Sequence, residues 1–414
     1  MPLTAPAVPR LTYLRIKNYR ALRDVEFRDL TPFTVLIGPN GSGKSTVLDA
    51  LDFLAEAVRG NLVGAWEKRN RFAGMRTRGS EGNIELELEL SIDEKRINYK
   101  LELAEGDTTD GRTLFVKSEI ISDVNSNKIL SYLSGRHVGR PGEAAFYPFL
   151  NSYTYPQSPD DKSYCNPDYL SLSHANATDV VGGVELVSAE VAIKLLLQSY
   201  RYIHLTDKHK KGFSIEGPRE KLSKHGDNLP NVLYYLHTKH PEALAKITAQ
   251  LRRWVPGLAD IVPEITSDER LLLRFKDGPF EKPLPAQYMS DGTMRLAALL
   301  TLLYEPDATG VLGIEEPENE LHPQLLAHLA EELIAAADTR QLLVATHSPA
   351  LLNALAPEQV WVLHRGTDGY TQATRAADLP GIPAMVAEGS PLGYLWSRNF
   401  FDVGNPLDLP TSVK

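Results

Sequence analysis

The sequence predicts an α/β fold: a head of parallel strands joined by helices, an antiparallel β subdomain, and an inserted, mainly helical subdomain. Three observations predict it. The apolar run Phe33-Thr34-Val35-Leu36-Ile37 enters a glycine-rich loop and then a helix-period stretch. Residues 84–90 and 96–103 alternate apolar and polar at strand period. From residue 288 to 346 helical and strand patterns follow one another, as parallel strands with helical crossovers require.

Taken in order, residues 11–27 alternate at strand period, and Pro32 breaks the chain before the buried strand 33–37. Val47, Leu48, Leu51, Leu54 and Ala55 carry helical spacing over residues 46–58. Residues 134–178, rich in Pro, Tyr, Ser, Asn and Asp, follow neither period and predict a long irregular loop. From 187 to 255 the period is helical again, broken by a charged loop at Lys208-His209-Lys210-Lys211. Sustained heptads are absent, which sets aside a long coiled-coil arm. The expected division is 10–115 and 283–366 for the two parts of the head, 116–282 for the insertion, and 367–414 for a C-terminal tail.

Composition narrows the class. The 414 residues are 43% hydrophobic, enough for a proper core, and the formal charge of -9 argues against a uniformly basic surface while leaving room for local patches. The single cysteine, Cys165, excludes an internal disulfide framework and a thiolate zinc site. The N-terminus lacks the features of a signal peptide, and no segment approaches the roughly 20 apolar residues that span a bilayer. The expectation is a cytoplasmic chain with no membrane partner.

Gly38-Pro39-Asn40-Gly41-Ser42-Gly43-Lys44-Ser45 matches G-x-x-x-x-G-K-[ST], a loop whose backbone NH groups curl around phosphates at a helix N-terminus. Lys44 is expected to bridge the terminal phosphates and Ser45 to ligate Mg²⁺, with Thr46 beside them. Strand, loop and helix stand in the order this chemistry needs, so the motif predicts ATP or GTP binding. Val311-Leu312-Gly313-Ile314-Glu315-Glu316 reads as a strand ending in two acids, Glu315 near the metal and Glu316 placed to polarise an attacking water. The first acid is usually Asp. Glu315 is longer by a methylene, compatible with reaching Mg²⁺ through a water and with slow hydrolysis.

Ser290-Asp291-Gly292-Thr293 precedes a helical stretch and reads as an N-cap; just before a two-acid strand, the same residues resemble an ABC signature loop, whose Ser hydroxyl and Gly NH contact a γ-phosphate at a helix N-terminus. His347, at the end of the strand-like run 342–345, is placed to point at the nucleotide pocket; alone it reads as an ordinary histidine, but in order after the other motifs it resembles a switch histidine, a donor to the γ-phosphate and attacking water. Pro323 suits the first turn of a helix over 324–336, with His322 at its cap or in a dimer contact.

In order, NYRAL from Asn18, IGPNGSGKST from Ile37, MSDGT from Met289, IEEPENELHP from Ile314 and ATHSP from Ala345 resemble the standalone predicted ATPases of the AAA class with an ABC-type head, relatives of chromosome-maintenance, RecF-type and OLD-type ATPases. The likeness covers both ends of the head and is loose over the insertion. It implies phosphate and metal roles for Lys44 and Ser45, a general-base role for Glu316, a γ-phosphate role in trans for Ser290 and Gly292, a switch role for His347, and a weaker phosphate contact for Arg20. A Q-loop glutamine has no placement in the first lobe, which leaves one metal or water contact unassigned.

In such ATPases the P-loop and signature of one chain face different surfaces, so by this resemblance one copy of each motif per chain implies a homodimer with ATP sandwiched in two composite sites. The implied role is an ATP-hydrolysing subunit of a nucleic-acid-directed or anti-phage defence system controlling a separate effector protein. The alternatives are a RecF-like DNA-binding repair ATPase and an ATP-dependent scaffold with little turnover. OLD-type relatives carry a Toprim nuclease after the head; no Asp-x-Asp follows His347 here, so a nuclease is expected on another polypeptide. Lys208, Lys210, Lys211, Arg219, Lys221 and Lys224 could track a DNA or RNA backbone, or simply be solvated.

Overall fold

A computed structural model of the chain describes residues 9–405 apart from 61, 93, 109–110, 126–127, 138–188, 207–211, 216, 269 and 279. Cys165, Lys208, Lys210 and Lys211, and the loop expected over 134–178 beyond residue 137, lie outside the described residues.

The chain opens with the hairpin β1 (Arg10–Tyr19) and β2 (Leu22–Phe27), then β3 (Phe33–Ile37), the glycine loop and α1 (Lys44–Val58). Short helices α2 (Leu62–Lys68) and α3 (Arg71–Met75) lead into β4 (Ile84–Ile92), β5 (Lys95–Thr108), β6 (Gly111–Asp123) and β7 (Lys128–His137). These strands join the hairpin in one antiparallel sheet of order β2-β1-β4-β5-β6-β7. Its alternation follows the sequence: Ile84, Leu86, Leu88 and Leu90 face the core while the intervening glutamates face outward.

Next come α4 (Ala189–Ser199), β8 (Arg201–Ile203), β9 (Phe213–Ser214), α5 (Leu229–Lys239), α6 (Pro241–Trp254), β10 (Leu258–Ile265), β11 (Leu271–Asp277) and β12 (Leu284–Pro285). The range expected to be mainly helical therefore also supplies strands. β6 and β7 extend the first sheet past residue 115, and β10, β11, β12 and β9 form a small antiparallel sheet. Pro230 and Pro241 sit in the first turns of α5 and α6, where a missing NH costs nothing.

The chain then closes its head with α7 (Asp291–Leu303), β13 (Val311–Glu315), α8 (Leu326–Ala336), β14 (Gln341–Thr346), α9 (Pro349–Leu352), β15 (Val360–Arg365), β16 (Thr371–Arg375), α10 (Ile382–Ala387) and α11 (Leu392–Ser397). The central sheet runs β16-β15-β3-β14-β13-β8, parallel except for the β15–β16 hairpin. All five residues of β3 are buried, as expected of a parallel strand covered on both faces. Leu36 joins the core formed with α1 and the antiparallel sheet, while Phe33, Val35 and Ile37 join the core under α5 to α8. Pro323 falls in a 3-10 turn, so the α-helix expected from 324 begins at Leu326.

Gln341 ties the two sheets together. Its Oε1 accepts from the Leu11 NH at 2.8 Å and its Nε2 donates to the Leu11 carbonyl at 2.7 Å, so a buried amide satisfies both main-chain groups of one β1 residue. No helix among the described residues is long and apolar enough to cross a membrane.

Candidate active site

β14 lies between β3 and β13, so the carboxyl ends of three adjacent parallel strands carry the glycine loop, the acid pair and His347 side by side. Such an edge is where open α/β sheets place ligands.

The glycine loop is braced by the β15–β16 hairpin beside β3. Thr371 Oγ1 donates to the Ser42 carbonyl at 2.9 Å, and Arg365 Nε donates to the Gly41 carbonyl at 3.1 Å. Gly43 has φ 102°, and a Cβ there would sit 2.8 Å from Thr371 Oγ1, so conformation and space both demand glycine. Lys44 begins α1 and reaches back over the loop, its Nζ donating to the carbonyls of Gly38 at 2.9 Å and Pro39 at 3.2 Å. Burial pushes the Lys44 ammonium down to about 8, against the pull of Glu316, Glu315 and Glu318. The Ser42 hydroxyl is buried without a hydrogen-bond partner. An orphaned hydroxyl beside a cation folded onto its own loop fits a missing anion, and phosphate meets both needs. Asn40 and Gly41 are exposed at the loop tip and Thr46 is half-buried in the first turn of α1.

The two acids differ. Glu315 ends β13, is 9% exposed, and accepts the Ser45 hydroxyl on Oε1. Its other oxygen, Oε2, accepts from Tyr202, with His204 Nδ1 3.4 Å away. The added methylene thus does not carry Glu315 away from Ser45: the two side chains touch directly. A serine hydroxyl facing a carboxylate is an all-oxygen pair suited to Mg²⁺. Glu316 turns out of the strand with φ 45°, its NH donating to the Ala345 carbonyl at 2.8 Å and its Oε2 accepting from Asn319 at 2.5 Å. Its Oε1 faces His347 Nε2 at 3.5 Å.

Glu318 fixes the His347 turn. Its Oε1 accepts from Thr346 Oγ1 at 2.6 Å and from the His347 NH at 2.9 Å. Burial, and then the Lys44 charge, hold the imidazole below its ordinary range, so it is neutral at neutral pH. A cavity of about 400 Å³ opens between Gly38, Pro39 and His347 on one side and Trp396 and Asn399 of the C-terminal segment on the other. A larger one, about 850 Å³, is lined by Lys239, Lys246, Glu305 and Glu332 and contains none of the motif residues.

Ser290 caps α7: its Oγ accepts from the Thr293 NH at 3.2 Å and lies 2.8 Å from Thr293 Oγ1. Gly292 packs against the Glu320 carbonyl, 2.6 Å from where a Cβ would stand, and His322 Nδ1 accepts from the Gln324 NH at 3.3 Å. The capping role is therefore present in the chain. Arg20 is ion-paired with Asp49 at 2.8 Å and donates to the Gly74 carbonyl, a placement that ties β1 to α1 and α3. Lys224 is paired with Asp52 at 2.7 Å.

Sequence reasoning missed Tyr202 and His204. They sit on and just after β8, a strand inside a stretch that reads as helical. The available signal was the alternation Tyr200, Tyr202, His204, three polar-tipped rings at strand period.

Residues 33–353 match the family described as "AAA domain, putative AbiEii toxin, Type IV TA system". The chain belongs to this AAA-domain family. Over 44 residues it is also 46% identical to an OLD nuclease of Thermus scotoductus, a match spanning 11% of this chain and 8% of that protein. Among solved structures it is similar to an Smc head bound to the C-winged helix domain of ScpA, with TM-score 0.51, 13% identity, and coverage of 88% of this chain and 96% of that one. It is similar as well to an Smc head domain with an extended coiled coil, bound to the C-terminal domain of ScpA derived from Pyrococcus furiosus, with TM-score 0.50, 12% identity, and coverage of 92% and 100%. At these identities the likeness to the two heads is one of fold. The chain is thus an AAA-domain P-loop protein with the fold of the two Smc heads and a short stretch of sequence similar to an OLD nuclease.

Proposed function

We propose that the chain binds ATP at the edge of its parallel sheet and hydrolyses it as a dimer. The observation that carries this reading is the convergence of Lys44, the Ser45–Glu315 contact and the Glu316–His347 pair from three adjacent strands. The loop NH groups from Gly38 through Thr46, including those of Asn40, Gly41, Ser42 and Gly43, cradle the phosphates, and Lys44 leaves its two carbonyls to meet them. Ser45 and Glu315 would hold Mg²⁺, which when bound would neutralise charge on the terminal phosphates. Glu316 accepts a proton from the attacking water and orients it. Neutral His347 donates a hydrogen bond toward the γ-phosphate, so no second cation needs burying beside Lys44.

Ser290 and Gly292 stand on a separate element, at the N-terminus of α7, where the helix dipole favours an anion. In this reading they complete the site of a second copy, and a twofold axis makes two such sites. Phosphate release by wild type, Lys44→Ala and Glu316→Gln tests it. Loss of ATP binding in the first variant, and retained binding with turnover at least about 100-fold lower in the second, are the expected results. Equal turnover in all three would overturn it.

The biological reading is a sensor or motor subunit in nucleic-acid-directed or anti-phage defence, acting on a separate effector. The resemblance of the five motifs to OLD-type ATPases and the short OLD match support it. Stimulation of turnover by DNA, by RNA, or by a co-purifying protein tests this; turnover indifferent to all three favours the scaffold alternative. The RecF-like alternative predicts a deep salt dependence of duplex binding by the isolated chain, with Lys224 held by Asp52 at 2.7 Å.

A further inference from the structure

We propose that Tyr202 and His204 are positioning residues that set the Glu315 carboxylate for the divalent cation accompanying ATP. This rests on the reading of Glu315 as a metal ligand given above.

Strand register brings them there. In the parallel pair β8–β13, Tyr202 lies beside Gly313 and Ile203 beside Ile314, so His204, one step on, falls beside Glu315. Side chains alternate along a strand, so Tyr202, His204 and Glu315 share the face that α1 covers. Gly313 keeps that face open. A Cβ there would lie 2.4 Å from the Tyr200 hydroxyl, which donates to the Leu48 carbonyl in α1 at 2.9 Å.

Each carboxylate oxygen then has its own neighbour. Ser45 takes Oε1; Tyr202, with His204 3.4 Å off, takes Oε2. A glutamate has one more torsion than an aspartate, and a buried carboxylate oxygen without a donor is costly. The tyrosine supplies that donor on a rigid ring and fixes the torsion. The ring is itself held, 8% exposed under the Lys224 ammonium, whose Nζ lies 3.9 Å from its centroid. The main chain of His204 is pinned as well, its NH donating to the Lys224 carbonyl at 2.8 Å and its carbonyl 3.0 Å from His225 Nδ1. The flank of the metal position for which the first lobe offers no glutamine is therefore faced by β8.

The test is the Mg²⁺ concentration needed for half-saturating binding of a fluorescent ATP analogue, measured on wild type, Tyr202→Phe, His204→Ala, Glu315→Asp and the double variant Tyr202→Phe/Glu315→Asp. Partners outside the ligand shell typically change metal affinity by about tenfold or more, so Tyr202→Phe should raise the requirement about tenfold and leave Mg²⁺-free nucleotide binding unchanged. His204→Ala, a half-exposed site that leaves the core intact, should raise it in the same direction. In the Glu315→Asp background the shorter carboxylate gives up the tyrosine, and Tyr202→Phe should change little. An unchanged requirement in both single variants, or the same tyrosine effect in both backgrounds, would overturn the proposal. Glu315→Gln separates the layers: if it too leaves the Mg²⁺ requirement unchanged, the metal-ligand reading of Glu315 fails first.

Discussion

The guanidinium of Arg295 donates to the main-chain carbonyl of Glu316 at 2.6 Å and to that of Leu205 at 3.2 Å. Arg295 lies one turn into α7 from Ser290 and is 3% exposed. It joins the helix that begins at Ser290 to the acid proposed to orient water through a part-buried charged hydrogen bond. Arg295→Met should cost about 1–3 kcal/mol of stability, because it leaves the buried Leu205 carbonyl without its donor and the Glu316 carbonyl with the Asn319 NH at 3.3 Å alone. Turnover should fall while Mg²⁺-ATP binding survives. Urea denaturation and phosphate release check this, and a variant as stable and active as wild type would contradict it.

Ser290 is assigned two tasks that can be separated. Ser290→Ala removes the cap on α7 and should cost about 1 kcal/mol. Ser290→Asp keeps a capping oxygen but adds a negative charge where the second copy's γ-phosphate is proposed to sit. Its melting temperature should stay near that of wild type while turnover is lost. An active aspartate variant would leave Ser290 as a cap alone.

Lys44 sets a pH dependence whose sign is fixed. In the nucleotide-free chain burial holds its ammonium at about 8. Bound phosphates raise it, so binding favours the protonated amine. Below pH 8 the amine is charged in both states and contributes no dependence. Above pH 8 binding must take up a proton, and affinity should fall by up to about tenfold per pH unit. Calorimetry near about pH 9 in two buffers of different protonation enthalpy should show proton uptake by wild type and none by Lys44→Arg. Equal heats for wild type in both buffers would contradict the assignment.

Much of the site was legible because phosphate binding needs contiguous residues. The loop from Gly38 to Ser45 must follow a strand and open a helix, and five buried residues before it and eleven buried positions in α1 bear that pattern. The antiparallel sheet was legible from strict alternation in β4. What escaped was decided by distant pairing. β8 has three residues, too few for a period to register, and becomes a strand only by hydrogen bonding to β13, more than a hundred residues away. The same holds for Thr371 and Arg365, which touch the glycine loop from the β15–β16 hairpin more than three hundred residues on. Nothing local in their sequence announces that contact.

The central claim, that each active site is built from two chains, is tested most directly by mixing variants. Lys44→Ala lacks the phosphate lysine in its own site, and Ser290→Asp spoils the loop it offers to its partner. Each alone should be inactive. A mixed dimer regains one intact site, made of the lysine from one chain and the serine from the other, so an equimolar mixture should recover up to about a quarter of wild-type turnover. Recovery at that level is the result the account predicts. A mixture as inactive as its components, formed from chains shown by mass to exchange, would contradict it.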